Sequence, residues 1–183
     1  MKKTLFLAAA AVFAAGTLFS AEALKINGDF KNVVKGKSFP AGWSKNGNGV
    51  KDAAFEIVKD GENNVLKFVS QGKHTALFTH VTPKAADNDK FEVVIVAKGK
   101  ADEFFAGVYA YGEKNKYLNS YAKKFVIDSP DKFTEYKGEF KVGSISRGKT
   151  EYVRVFMGGY TKGFDLQIKE IRVTPIEEKA AEK

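Results

Sequence analysis

Apolar and polar residues alternate along this chain in short runs, and turn-forming residues separate the runs. Tyr136, Gly138, Phe140 and Val142 alternate with Lys137, Glu139 and Lys141, which predicts a strand with one buried face and one wet face. Runs of the same kind cover residues 54–58, 65–70, 75–81, 91–98, 104–111, 121–127, 151–157 and 164–173. Asp60-Gly61, Gln71-Gly72, Lys98-Gly99, Tyr111-Gly112, Ser129-Pro130, Gly143 and Gly158-Gly159 punctuate them. About nine or ten strands with tight connections predict an all-β domain, a two-sheet β-sandwich of jelly-roll type.

The opening residues follow a different pattern. Lys2 and Lys3 precede an apolar run at 5–19, and small residues follow it, which is the layout of a cleavable secretory signal helix. The run is too short and too rich in alanine for a membrane span. Ala21-Glu22-Ala23 supplies small residues at both positions a signal peptidase reads, so residues 1–23 are expected to be removed and the mature chain to start at Leu24. The remaining 160 of the 183 residues suffice for one core, assigned to residues 24–176, followed by a charged flexible tail at 177–183. The chain has no cysteine, so packing alone must hold the domain, and there is no lipid attachment site at the cleavage point. A secreted product, periplasmic or extracellular, follows, and the leader has a bacterial character.

The net charge of +8 falls to +7 once Lys2, Lys3 and Glu22 leave with the signal. Most of the excess is lysine scattered singly, and arginine occurs only at 147, 154 and 172. Nucleic-acid surfaces concentrate arginine on one element, so the pattern reads as a solvated surface with a weak pull toward anionic polysaccharide or the cell surface.

Two strands carry most of the functional information. Residues 91–97 are apolar at nearly every position and are expected to be central and covered on both sides. In 104–111, Phe104, Ala106, Val108 and Ala110 share one face and suit an interior, which leaves Phe105, Gly107, Tyr109 and Tyr111 on the other.

Asn27-Gly28-Asp29-Phe30 with Pro40-Ala41-Gly42-Trp43 resembles the opening of carbohydrate-binding modules of families four, nine and twenty-two. The segment 91–99 resembles their central strand, Phe133-Thr134-Glu135-Tyr136 their Trp-x-x-Tyr segment, and 163–175 their closing strand. The resemblance implies a galactose-binding-domain-like jelly roll with a groove or shallow face for a glycan, and a structural calcium ion near Asn27, Asp29 and Glu170. Lys169-Glu170 stands where the family usually has two aspartates, and Lys31 where it has an acid. Both departures remove or displace the oxygen ligands a hard cation needs.

A sugar ring offers a face of C–H groups and an edge of hydroxyls, so it is held by flat aromatics and a few polar groups. With Val153, Val155 and Met157 turned inward, Tyr152, Arg154 and Phe156 face out. With Leu77, Thr79 and Val81 turned inward, Phe78 and His80 face out. Phe78, His80, Tyr109, Tyr111, Arg154 and Phe156 are therefore expected to line one face of one sheet as the ligand-binding set. The competing reading packs these rings as a second layer of the sandwich.

Trp43 and Tyr117 are further binding candidates, with structural readings beside them: an indole closing the end of the core, and a hairpin contact. Tyr160, after Gly158-Gly159, marks either a close ligand approach or a bulge. His74 and His80 lack any metal-ligand spacing, no Ser or Cys sits in a nucleophile elbow, and the acidic residues read as solvated positions. The expected function is a non-catalytic module that binds a polysaccharide or oligosaccharide, requires no cofactor and does not insert into a membrane. The alternative is a structural or protein-interaction domain of the cell envelope.

Overall fold

The computed structural model describes residues 22–177, so nearly all of the signal segment and the tail beyond Glu177 lie outside the described residues. Among the described residues eight strands run in chain order: β1 Trp43–Asn46, β2 Ala54–Asp60, β3 Asn63–Ser70, β4 Thr75–Thr79, β5 Lys90–Gly112, β6 Lys116–Lys141, β7 Tyr152–Gly159 and β8 Phe164–Ile176. No α-helix occurs among the described residues, and none of their helical turns is long or apolar enough to cross a membrane.

All strand pairings are antiparallel. The second half of β5 joins the order β1-β4-β7-β5-β6, and its first half joins β2-β3-β8-β5-β6. One curled sheet thus folds into the two layers of a sandwich, with β5 and β6 running through both. Turn-forming residues at Lys98-Gly99 and at Ser129-Pro130 predict a break in each of these strands. Both divisions fall at one irregularity inside a continuous ladder, where the pairing steps from Ala97–Thr134 to Gly99–Ser129. Pro130 is tolerated because β6 pairs only with β5, so its outer edge needs no N–H from that residue. Ser129 donates its hydroxyl to the Lys132 carbonyl at 2.6 Å, which tightens the bulge.

The core lies between the layers. Val93, Ile95, Leu66, Leu77, Val108, Val155, Leu166 and Ile168 are fully buried there. Phe68 anchors one end, with the rings of Phe55, Phe164 and Phe104 at 4.7, 4.8 and 6.0 Å. Truncating a buried ring of this kind to alanine typically costs about 3–5 kcal/mol.

Residues 91–97 are central, between β8 and β6, but only one side of them meets another layer. On the opposite side Val94 is 6% exposed and lies in register between Lys137 and Arg172, whose aliphatic stems shield it. Val81, expected inside, lies beyond the end of β4 and is exposed.

The Asn-Gly-Asp-Phe segment fastens the start of the domain to its closing strand. The Gly28 carbonyl accepts the Ile171 N–H at 2.9 Å, and the Asn27 amide donates to the carbonyls of Asn32 and Ala41 at 2.6 and 3.0 Å. Trp43 is buried beside Phe30, and its indole N–H donates to the Asn27 carbonyl at 3.0 Å. The indole closes the core, so the binding role considered for Trp43 gives way to the structural one.

The bend of β5 between layers depends on Gly99. Its φ is +119°, and a Cβ there would stand 2.1 Å from the Asp165 carbonyl oxygen. Gly42 also has a positive φ, +79°, but open space around it. Gly42→Ala should cost about 1–2 kcal/mol from backbone strain alone. Gly99→Ala should cost clearly more, because β5 and β8 must also part. Urea denaturation of the two variants measures the difference, and equal costs would contradict this role for Gly99.

Candidate functional site

Along β5 and β7 the small and aliphatic residues fill the interior, so the rings between them stand on the outer face of the β1-β4-β7-β5-β6 layer. Register sorts them into rows that cross the strands. Tyr152, Tyr111 and Tyr117 form one row, and Arg154, Tyr109 and Ser120 the next. A third row runs Ser44, Phe78, Phe156, Gly107 and Ala122. The fourth runs Asn46, Ala76, Gly158, Phe105 and Lys124. Gly107 and Ala122 in the third row, and Ala76 and Gly158 in the fourth, keep those parts of the face low.

The rings support one another. Tyr109 lies flat on Phe156, with centroids 4.2 Å apart and planes within 1°. Tyr111 lies flat on Tyr152 at 5.1 Å. Tyr117 stands edge-on to Tyr109 and Tyr111 at 6.0 and 5.9 Å. Beyond the ends of β4 and β7, His74 and Tyr160 stack at 4.9 Å, and Phe105 meets Tyr160 edge-on at 5.1 Å. Each such pair contributes roughly 0.5–1.5 kcal/mol beyond its buried area.

Between these groups opens a cavity of about 390 Å3 lined by Tyr109, Tyr111, Tyr117, Tyr160, His74, Asn46 and Ser120. Its volume lies within the roughly 300–1,000 Å3 range of small-molecule sites. Tyr109 and Phe156 are 6% and 1% exposed, so they form a floor, and Phe156 offers no free ring face. Tyr117, 47% exposed, forms a wall.

Of the predicted set, Tyr109 and Tyr111 line the cavity, as does the additional candidate Tyr117. Phe78 and Arg154 flank it: the guanidinium carbon stands 5.8 Å from the Phe78 ring and 5.2 Å from Tyr111. His80 lies at the margin, bonded to the Ser44 hydroxyl. Asn46, His74, Ser120 and Tyr160 complete the lining. Of these only Tyr160 has a local cue, the Gly158-Gly159 pair before it, and the Thr75–Gly159 pairing then sets His74 beside it.

Burial sets the electrostatics of the cavity. It pushes the Tyr109 hydroxyl well above the usual tyrosine value, with Asn46 opposing the shift as a hydrogen-bond partner. Burial likewise raises Tyr111 against the opposing charge of Arg154, and raises Tyr160 against its bond to Ser120. His74 is pushed down by burial, which favours the neutral imidazole. The lining is thus uncharged and rich in hydroxyls, and contains no carboxylate.

The residues proposed for calcium serve other partners. Asp29 Oδ2 takes the Lys31 ammonium at 2.7 Å, Glu170 takes Arg172 at 2.8 Å, and Asn27 Oδ1 accepts the Asn32 N–H at 3.1 Å. With a lysine ammonium among the donors, the set does not fit a hard dication.

No family model matches the chain, and no curated protein matches it in sequence. Solved structures do match. A putative sugar-binding protein from Bacteroides thetaiotaomicron superposes with a TM-score of 0.56 at 15% identity, covering 84% of this chain and 99% of that one. The CBM22-1 xylan-binding domain of Xyn10C from Paenibacillus barcinonensis gives 0.53 at 9% identity, covering 87% and 98%. An arabinose-bound MgGH51 α-L-arabinofuranosidase gives 0.53 at 12% identity over 85% of this chain, which spans only 27% of that enzyme. At such identities the likeness is one of fold, and the fold is the jelly-roll sandwich of carbohydrate-binding modules.

A tyrosine whose folded pKa lies above its unfolded value contributes stability that is present below the unfolded value and lost as pH climbs past it. With three tyrosines raised above 10.0, the domain should lose stability as pH rises beyond about 10. Tyr109→Phe should weaken that dependence. Thermal melts against pH, read beside tyrosinate absorbance, test this, and identical alkaline profiles for the two proteins would contradict it.

Proposed function

We propose that the domain is a secreted, non-catalytic carbohydrate-binding module that holds a glycan on the outer face of the β1-β4-β7-β5-β6 layer. The observation that carries this reading is the open tyrosine-walled cavity, with Asn46 and Ser120 placed to address hydroxyls. An exposed aromatic surface of this kind is unusual on a small sandwich without a use. A sugar can lie against the walls of Tyr117 and Tyr160, while Tyr109 and Phe156 hold the floor rigid. Preorganised rings lose little entropy on binding, but a shallow site buries little of each sugar, so the affinity is expected to be modest, on the order of micromolar to millimolar.

The absence of a carboxylate from the lining supports a non-catalytic role, because glycoside hydrolysis by the usual route needs two such groups across the bond. The leader pattern at 1–23 supports export.

Affinity electrophoresis of the mature domain in gels carrying soluble polysaccharides tests the reading. Tyr117→Ala should weaken retention by roughly two- to tenfold, the loss of one stacking ring, at a stability cost of about 1–3 kcal/mol for its two edge-on contacts, so retention is compared at a temperature where both proteins are folded. Retention of wild type and variant to the same extent on every glycan that binds would remove the site from consideration.

A further inference from the structure

We propose that this surface recognises an acidic glycan, one bearing uronate carboxylates, and that Arg154 is the group that reads the charge. The inference rests on the glycan-binding reading and deepens it.

Arg154 occupies the second row, next to Tyr109, with its guanidinium between the rings of Phe78 and Tyr111. Among the described residues it has no carboxylate within ion-pairing distance. Arg172, by contrast, is held by Glu170 and Glu135. The Nε of Arg154 is buried without a hydrogen-bond partner, whereas its terminal nitrogens are not among the buried, unpartnered atoms.

A partly buried cation without an acid is costly, and two aromatic faces offset that cost only in part. A protein gains from such an arrangement when an anion arrives from outside. The planar guanidinium is suited to a carboxylate, which it can hold through two parallel hydrogen bonds while the neighbouring rings carry the sugar.

The surroundings agree. None of the cavity residues is acidic, and Glu103, two residues before Phe105 on β5, is already engaged by Lys124 at 3.5 Å and Thr161 at 3.3 Å. At the same end of β5 and β6 as Tyr111 and Tyr117, the loops bring Lys114, Lys116, Arg147 and Lys149 around a second opening. Glu113 and Glu151 also line that opening, so four cations face two acids there. The whole sequence carries +8. A polyuronate long enough to run past Tyr111 and Tyr117 to that end of the sheet would thus meet a surplus of positive charge there, and salt would weaken its binding.

The experiment measures dissociation constants of the mature domain for polygalacturonate, alginate, glucuronoxylan and hyaluronan, each beside its carboxyl-reduced counterpart, at low and high salt. At least one acidic chain should bind about tenfold or more tighter than its reduced form. Arg154→Met should collapse that ratio toward one, and Arg154→Lys should restore it in part. Reduced chains bound as tightly as acidic ones would overturn the inference while leaving the glycan site standing. So would an acid preference that Arg154→Met leaves intact, since that would place the charge reading on the surface lysines. Retention of no chain, acidic or reduced, together with none in gels carrying neutral polysaccharides, would overturn the glycan-binding reading itself.

Discussion

Successive side chains of a strand must leave opposite faces of its sheet, and in β5 and β7 that rule decides nearly everything about this molecule. Phe104, Ala106, Val108 and Ala110 alternate with Phe105, Gly107, Tyr109 and Tyr111. Once the aliphatic set is drawn into the core, the aromatic set has nowhere to go but out. Val153, Val155 and Met157 impose the same choice on Tyr152, Arg154 and Phe156. A slip of one residue in either strand would bury the hydroxyls and the guanidinium and expose the aliphatic core, so the outer face is specified by the stability of the inner one.

The continuity of β5 and β6 gives that face its shape. Because both strands run through the two layers, the curl of the sheet and its bulges set how the rows meet. Glycine and alanine in the third and fourth rows leave low ground, and the large rings rise beside it. Stacking of Tyr109 on Phe156 then converts loose aromatics into a floor, while Tyr117, Tyr160 and His74 remain as walls. Each ring is held by another ring, so the surface is formed before any ligand reaches it.

Much of this was legible in the residues. Period-two alternation gave the all-β class, the strands and the inward and outward sets, because those depend only on neighbours along the chain. The depth of each ring was not legible, because it depends on cross-strand register. Phe156 looked like a binding residue and lies under Tyr109. Asn46, Ser120 and His74 carried no local cue, and they reach the cavity only because β1, β6 and the start of β4 meet there. The two long strands were read as four because Gly99 and Pro130 are turn-formers in isolation, whereas within the sheet they are a bulge and an edge position. Trp43 stood out as the sole tryptophan, yet its indole bonds to the chain that precedes it and belongs to the core.

The resemblance that the opening and closing segments carry extends to the fold and leaves the details of the surface to this chain. A lysine ammonium sits among the acids where a calcium ion would be looked for. On the outer face, Arg154 has no acidic partner among the described residues, unlike Arg172.

The central claim is that ligand sits on the outer face of the β1-β4-β7-β5-β6 layer, and an NMR titration of the isotopically labelled mature domain with oligosaccharides from a retained glycan addresses it most directly. Shifts concentrated on Asn46, Tyr109, Tyr117, Ser120 and Tyr160 are the expected result. Shifts confined to β2, β3 and β8, with those residues unmoved, would contradict it.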